Sequence, residues 1–225
     1  MAFFLKKRFA RNLKNPQNTI IGSYVKKKLI EWNSHLEENA VKLCRLEPHQ
    51  NVLEVGFGPG IGIKKALEYL KDGTGKMYGI ETSKHMIEEC KERFKNEIFD
   101  DKLVLLETSV HNIPCNDNFF DRVFHVDSFH YWPNLDGGMH ELYRVMKPHS
   151  YMVVPIDLER VKKLSAQKLL RNCNSPDFYT LKYSLERQGF VDIKTDKFWD
   201  AKKQESFYVL FARTNKIEEN PLVIS

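Results

Sequence analysis

The chain has 225 residues, of which 42% are apolar and 29% charged, a composition that favours one globular domain with its own core. No apolar run approaches the roughly 18 residues that would cross a bilayer. The cysteines lie far apart in the sequence, which argues against a zinc site or a disulfide framework. We therefore expect no metal and a cytoplasmic protein with reduced thiols.

The net charge of +5 is concentrated at the N-terminus, since residues 1–30 carry eight basic side chains and no acidic one. These are Lys6, Lys7, Arg8, Arg11, Lys14, Lys26, Lys27 and Lys28. We expect a solvated helix face here, and we favour contact with RNA or with a membrane surface less. A mitochondrial transit peptide has a similar composition, but too little chain precedes the folded part for one to be removed.

Residues 1–45 are predicted to form a helical arm or lid, because apolar residues between 24 and 45 recur at spacings of three and four. After Pro48, short apolar runs alternate with amphipathic ones, which is the pattern of a doubly wound parallel sheet. The predicted strands cover residues 51–55, 76–81, 103–107, 120–126 and 151–155. The predicted helices cover residues 61–70, 83–96 and 135–146, with Ser83 as an N-cap.

The last part of the chain has a different pattern. A predicted helix at 175–188 stops at Gly189 and is followed by strands at 191–199 and 205–212. The short polar link between these strands predicts an antiparallel hairpin. We therefore expect an α/β fold: a Rossmann-like, seven-stranded, mostly parallel sheet with a terminal antiparallel hairpin and helices on both faces. This domain would cover 46–213, followed by a tail at 214–225.

A glycine-rich loop joins the first predicted strand to the next helix. It reads Glu54-Val55-Gly56-Phe57-Gly58-Pro59-Gly60. A dinucleotide site would need a third glycine at position 61, which is Ile61. Pro59 lacks an N–H group and suits a phosphate cradle poorly, whereas the carboxylate of Glu54 would attract a cation. Glu81 ends the second strand about 20 residues further on, where an acid can accept hydrogen bonds from ribose hydroxyls.

These features resemble the first motif of class I S-adenosylmethionine-dependent methyltransferases. The resemblance extends over roughly residues 9–212 and is strongest to small-molecule enzymes of the ubiquinone/menaquinone-biosynthesis type. It implies S-adenosylmethionine as cofactor, S-adenosylhomocysteine as product and a small molecule as methyl acceptor. Ser109 stands where the family commonly has an Asp that binds adenine, and His149 and Ser150 replace two glycines, which leaves that turn open. The implied cofactor-binding residues are Glu54, Gly56, Gly58, Gly60, Glu81, Thr82, Ser109 and Val110.

The segment that follows the fourth strand is rich in aromatic and protonatable side chains. The resemblance and the fold place the acceptor here, against His125, Tyr131 and Trp132. Asp127 and His130 are the candidate catalytic bases, needed only if the acceptor must lose a proton. A buried hydrogen-bonded role for His130 and plain core packing for Trp132 stay open. A D/N-P-P-Y/F motif is missing after this strand, which argues against DNA as a substrate.

Two other functions stay open. An NAD-dependent oxidoreductase would share the strand, loop and ribose acid, but Ile61 and Glu54 argue against it. A non-catalytic protein could bind the cofactor or associate with RNA through Lys26, Lys27 and Lys28. The acceptor, the atom that is methylated and the oligomeric state do not follow from the sequence.

Overall fold

The computed structural model describes residues 2–170 and 177–217. Seven strands form one sheet within this part of the chain, and helices surround it. The strands are β1 (Asn51–Val55), β2 (Lys76–Glu81), β3 (Leu103–Glu107), β4 (Phe120–Phe124), β5 (Met146–Ile156), β6 (Phe190–Asp200) and β7 (Glu205–Thr214). The helices are α1 (Ala2–Lys14), α2 (Ile20–Cys44), α3 (Ile61–Leu70), α4 (Lys84–Arg93), α5 (Lys95–Phe99), α6 (Leu135–Val145), α7 (Leu158–Ala166) and α8 (Phe178–Arg187).

The sheet has the order β3-β2-β1-β4-β5-β7-β6. The first five strands of this order pair in parallel, and β7 pairs antiparallel with both β5 and β6. The predicted Rossmann-like sheet with a terminal antiparallel hairpin is confirmed. The chain order reverses between β1 and β4, and the crevice at the carboxyl ends of those strands is where ligands bind in open α/β sheets.

Helices cover both faces of the sheet. Because successive side chains of a strand point to opposite faces, each central strand contributes to the core on both sides. Leu53 and Val154 belong to the apolar cluster under α6 and α8. Their neighbours Val52 and Val153 belong to a second cluster under α2, α3 and α4. The central strands are therefore rich in apolar residues on both faces, which makes them predictable from the sequence.

The arm consists of α1 and α2 joined by a tight turn. Thr19 caps α2, its hydroxyl accepting a hydrogen bond from the Gly22 N–H at 3.0 Å. The Gln17 N–H donates to the side-chain oxygen of Asn12 at 2.9 Å. A Cβ at Gly22 would lie only 1.8 Å from the Gln17 carbonyl oxygen, so only glycine fits there. Leu36 and other residues of α2 are buried in the core, so the arm packs on the sheet directly.

Several predicted boundaries change. β4 ends at Phe124 and not at 126, because the chain leaves the sheet before Asp127, whose φ is 43°. β5 is longer than the predicted 151–155 and has no turn after Pro148. His149 takes a φ of 56° within the strand, where the family's glycines would be free of strain. Helix α7 was not predicted.

The predicted helix at 83–96 is divided at Phe94 into α4 and α5. The Ser83 cap is confirmed, with the hydroxyl accepting from the Met86 N–H at 3.4 Å. α8 begins at Phe178, and residues 175 and 176 of the prediction lie outside the described residues.

The end of the sheet also differs from the sequence analysis. Position 214, predicted as the start of the tail, belongs to β7: Thr214 is buried, and its hydroxyl donates to the Lys147 carbonyl at 2.6 Å. Residues 218–225 of that tail lie outside the described residues.

Candidate functional site

A cavity of about 450 Å³ opens at the carboxyl ends of β1, β2 and β4, beneath the arm. Its walls come from the arm, the glycine-rich loop, the end of β2 and the segments after β3 and β4. Of the predicted site residues it gathers Gly56, Gly58, Glu81, Thr82, Ser109, Val110, Asp127, Tyr131 and Trp132. These residues lie far apart in the sequence, and the parallel strands bring them together.

The glycine-rich loop turns sharply because its three glycines all have positive φ, at 74°, 48° and 76°. Phe57 anchors the loop in the core with no exposed surface. A Cβ at Gly58 would meet nothing within 4 Å and so would point into the cavity. A Cβ at Gly60 would lie 2.8 Å from the Cys90 sulfur, so Gly60 is needed for packing and does not line the cavity.

Glu81 is held rigidly at the edge of the cavity. Its carboxylate accepts hydrogen bonds from the N–H groups of Gly58 at 3.1 Å, Thr82 at 2.7 Å and Ser83 at 2.8 Å. Burial raises the pKa of Glu81, while these donors lower it. The loop and the end of β2 therefore form one unit, and the carboxylate keeps capacity for a further donor.

Glu37 of α2 also lines the cavity, and the sequence analysis does not predict it. Its carboxylate accepts from the Gly62 N–H at 3.0 Å, at the first turn of α3. Burial raises the pKa of Glu37 to about 8. The sequence analysis could not find Glu37, because this residue lies on a helix 25 residues before its hydrogen-bond partner Gly62 and belongs to no motif.

Glu54 lies beneath Gly62 and not in the wall of the cavity, contrary to the predicted contact with the cofactor. A Cβ at Gly62 would be 2.5 Å from its carboxylate oxygen. Its Oε2 is buried without a hydrogen-bond partner in the described part of the chain. Burial and the nearby carboxyl of Glu37 raise the pKa of Glu54 well above its usual range. Two buried carboxyl groups thus face each other beside the loop.

Asp127 completes an acidic side of the cavity. One of its oxygens pairs with Arg160 of α7, whose guanidinium also donates to the Trp32 carbonyl at 2.9 Å and to Asn33 at 2.8 Å. The other oxygen, Oδ1, is buried without a partner among the described residues. Burial raises the pKa of Asp127, while Arg160 lowers it. Carboxyl groups in a cavity wall favour a ligand with a positive charge. Because the glycine-rich loop is also not of the phosphate-binding type, the cavity fits a cationic nucleoside.

A family profile described as a methyltransferase domain matches residues 53–154, the stretch from β1 to β5 that forms the floor of this cavity. This chain contains a class I methyltransferase domain. S-adenosylmethionine is the cofactor of that domain. The predicted resemblance is confirmed at this level, and the quinone-type subgroup stays a prediction.

Curated relatives match the methyltransferase domain in part. YdaC of Bacillus subtilis, an uncharacterized methyltransferase, is 28% identical over 116 residues, which are 52% of this chain and 61% of YdaC. The sterol 24-C-methyltransferase erg6 of Schizosaccharomyces pombe is 29% identical over 104 residues, 46% of this chain and 26% of that protein. The 2-phytyl-1,4-naphtoquinone methyltransferase of Nostoc punctiforme is 28% identical over 112 residues, 50% of this chain and 48% of that protein. The chain therefore spans less than two thirds of the length of each of these relatives.

Solved structures share the fold more completely. A SAM-dependent methyltransferase from Aquifex aeolicus is 22% identical with a TM-score of 0.61, over 85% of this chain and 96% of that one. Phosphoethanolamine N-methyltransferase 2 of Haemonchus contortus, in complex with S-adenosyl-L-methionine, is 15% identical with a TM-score of 0.69. That match covers 93% of this chain and 60% of the nematode chain. At these identities the likeness concerns the fold.

The far wall of the methyltransferase domain's cavity suits an adenine ring. His111 binds the Asn134 carbonyl through Nε2 at 2.7 Å, so Nε2 is the donor and, in the neutral ring, Nδ1 is the acceptor. The Ser109 hydroxyl, 2.9 Å from Nδ1, therefore donates to it. The Ser109 oxygen also accepts from the His111 N–H at 3.4 Å, which leaves it one lone pair to accept from an amino group, and Val110 lies beside it in the same wall.

The two histidines predicted near the acceptor lie behind the wall. His125 and His130 are buried and do not line the cavity, while Tyr131 and Trp132 do. The His125 ring packs 5.0 Å from the Trp132 ring. Burial lowers the pKa of each histidine to about 3. The prediction of His125 as a pocket residue is not met, and Asp127 is the predicted base that reaches the cavity.

Within 2–170 and 177–217, we find no group of three or more His, Cys, Asp or Glu side chains that could hold a metal ion. In the same ranges, no helix is long and apolar enough to cross a membrane.

Proposed function

We propose that this chain transfers a methyl group from S-adenosylmethionine to an apolar small molecule. The observation that carries this proposal is one cavity with two kinds of wall. The cofactor side has the glycine-rich loop, Glu81 and Ser109, and the other side has Leu13, Leu29, Tyr131 and Trp132. A cofactor and an apolar acceptor could therefore occupy the same enclosed space, which is what group transfer by proximity requires.

The residues present fit the cofactor. We infer that Glu81 binds the ribose hydroxyls, that Ser109 binds the adenine amino group, and that the loop at Gly58 contacts the methionine chain attached to the ribose. When bound, S-adenosylmethionine supplies an electrophilic methyl group on a sulfonium. Glu37 and Asp127 present carboxyl groups to this side of the cavity, which favours a cation over a neutral or anionic ligand.

The acceptor side supports an apolar ring or chain as the substrate. Its aromatic and aliphatic side chains offer contact area with few donors or acceptors. Two of the relatives are named for sterol and naphthoquinone substrates, and by analogy we propose an acceptor of comparable apolar character. Asp127 lines the cavity, and we infer that its carboxyl group takes a proton if the methylated atom carries one.

Isothermal titration of the purified chain tests this proposal directly. We expect S-adenosylmethionine and S-adenosylhomocysteine to bind in the micromolar range and NAD to give no heat. Incubation with labelled S-adenosylmethionine and a cell extract fractionated by polarity should label the apolar fraction. Binding of NAD instead would favour the oxidoreductase reading, and cofactor binding without any labelled product would favour the non-catalytic reading.

A further inference from the structure

The outer side of the arm carries an apolar surface that the methyltransferase site does not use. Ile20 is 91% exposed, Phe4 63%, Tyr24 55% and Leu5 50%. We call these four residues the arm patch. Single exposed apolar residues are common on proteins, but a cluster of this kind marks a surface that meets something apolar.

Three residues of the arm patch, Leu5, Ile20 and Tyr24, line an open groove of about 600 Å³. The groove is lined by Leu5, Lys6, Phe9, Ile20, Ile21, Tyr24, Gln167 and Leu169. Aliphatic and aromatic side chains form most of it, and the ring of Phe9 lies 6.3 Å from that of Tyr24. Its lining shares no residue with that of the cofactor cavity.

Positive charge borders the same surface. Helix α1 carries Lys6, Lys7, Arg8, Arg11 and Lys14 and no acid, and none of these five is in an ion pair within the described part of the chain. Lys7 and Arg11 are four residues apart and share one face of the helix, whereas Lys14 lines the cofactor cavity. By contrast, Lys26 pairs with Glu89 at 2.6 Å and Lys28 with Glu31 at 2.8 Å, so much of the charge on α2 is compensated.

We propose that the arm patch docks on the surface of an anionic lipid bilayer. Exposed apolar side chains beside uncompensated lysines and arginines are what an interfacial helix presents to a membrane. The aliphatic groups would enter the boundary between headgroups and acyl chains, and the basic groups would meet anionic headgroups. RNA would use the charge but would leave Leu5, Ile20 and Ile21 without a partner, so we favour lipid over RNA.

The position of the patch gives docking a consequence. Leu5 and Leu13 lie eight residues apart on α1, which is about 12 Å along a helix, and Leu13 lines the cofactor cavity. A bilayer held at the patch would therefore lie close to the apolar side of that cavity. Docking itself does not depend on methyl transfer and is measured without it.

Vesicle flotation with the full chain tests the proposal. We expect the protein to float with vesicles of 70% phosphatidylcholine and 30% phosphatidylglycerol, at least about tenfold more strongly than with pure phosphatidylcholine. Raising the salt concentration to about 0.5 M should weaken the binding, because the Debye length shortens.

Two sets of variants separate the apolar from the ionic contribution. The triple variant Phe4→Ser, Leu5→Ser, Ile20→Ser should lower partitioning into anionic vesicles at least about tenfold. Its control is Phe99→Ser, at an apolar residue that is 89% exposed on α5, and this variant should leave partitioning unchanged.

The double variant Lys7→Gln, Arg11→Gln tests the ionic contribution and should lower partitioning about tenfold or more. Its control is Lys71→Gln with Lys91→Gln, at exposed residues outside the arm, and this variant should leave partitioning unchanged. Circular dichroism and titration with S-adenosylmethionine confirm that each variant is folded, since none of these residues lines the cofactor cavity.

Three results would overturn the proposal. The first is a folded, cofactor-binding protein that fails to float with anionic vesicles. The second is equal loss in the arm variants and in their controls. The third is that the protein does not bind vesicles but binds a 20-nucleotide poly(U) RNA tightly, or self-associates in sedimentation velocity, and that the arm variants abolish this binding or self-association. None of these outcomes bears on whether the chain methylates a substrate.

Discussion

Buried acids dominate the site at the scale of single residues. The motif spacing led to Glu54 and Glu81, and the position after β4 led to Asp127. Glu37 could not be predicted, because only the packing of α2 on α3 brings it to the cavity. For the same reason the sequence did not show that His125 and His130 turn away from the cavity, since residue type does not fix the direction of a side chain after a strand ends.

We expect Glu37→Gln to change how stability depends on pH. The folded state holds the pKa of Glu37 at about 8, above its ordinary value of 4.5, so its contribution to stability is complete below about pH 4.5 and is lost as the pH rises toward 8. Thermal unfolding of the unliganded protein between pH 5 and 8 should show a decline that becomes shallower in Glu37→Gln. The residual slope combines two opposite contributions. Glu54, Glu81 and Asp127, whose pKa values are also raised, lower stability as the pH rises, whereas His125 and His130, whose pKa values are lowered to about 3, raise it up to about pH 6.5.

Glu38→Gln is the matched control, because Glu38 is the next residue of α2 and is exposed. An unchanged slope in Glu37→Gln would contradict a buried, titrating Glu37. Above about pH 8, where Glu37 is ionised, the same variant should weaken binding of S-adenosylmethionine about tenfold or more, since one charged partner is removed, with a smaller effect on S-adenosylhomocysteine, which lacks the sulfonium charge.

The glycines of the loop should respond differently to substitution. Gly58→Arg should abolish cofactor binding and leave the protein folded, because the new side chain would enter the cavity without striking the protein. Gly58→Asn controls for backbone strain, since Asn tolerates a positive φ. Gly60→Ala should instead lower stability by about 1–3 kcal/mol through contact with Cys90 and Phe94. Titration and thermal melts distinguish the two outcomes, and a Gly58→Arg protein that still binds the cofactor would place the cofactor elsewhere.

At the scale of elements, helix starts and alternating strands were predictable and irregular segments were not. The Ser83 cap follows from local chemistry, whereas the length of β5 depends on His149 adopting a φ of 56°. Helix α7 was missed, although its Arg160 ties Asp127 to Trp32 and Asn33 of α2. Contacts between elements that are more than 100 residues apart leave no periodic signal in the sequence.

The turn between α1 and α2 gives a prediction about the arm as a lid. Gly22→Ala would place a Cβ 1.8 Å from the Gln17 carbonyl, so the turn must move. We expect a loss of about 1–3 kcal/mol, earlier trypsin cleavage within α1, and weaker binding of S-adenosylmethionine, because residues 13–16 form part of the cavity wall. Ser23→Ala, at the exposed neighbouring position, serves as the control. Unchanged affinity in a Gly22→Ala protein with a cleavable arm would show that the arm does not cover the cofactor.

At the scale of the whole molecule, the order of secondary-structure types was enough to predict the fold class. The alternation of short apolar and amphipathic segments predicts a doubly wound sheet, and the polar link before Glu205 predicts the hairpin. The sequence could not show how the arm closes one end of the sheet, since that depends on side-chain packing against α3 and β5.

Cofactor binding should stabilise the folded molecule as a unit. A ligand at 100 times its Kd contributes about 2.7 kcal/mol, which for 225 residues corresponds to a rise in Tm of roughly 5–10 °C. Differential scanning fluorimetry with S-adenosylmethionine should show this rise, and NAD at the same concentration should not. The rise should be larger at pH 8 than at pH 6, because the cavity's carboxyl groups must be ionised to attract the cation. A rise that is larger at pH 6 would contradict the acidic binding side.

The place of β7 between β5 and β6 has a consequence for biosynthesis. β5 ends at Ile156, but the strand that covers its open edge is completed only at Thr214. At about 5–20 residues per second, a ribosome needs roughly 3–12 s to add that stretch. During this interval the nascent chain exposes the edge of β5. This strand includes Met152, Val153 and Val154, which are buried in the folded protein. Because an unpaired strand edge promotes aggregation, we expect a chain truncated before β7 to accumulate as aggregates.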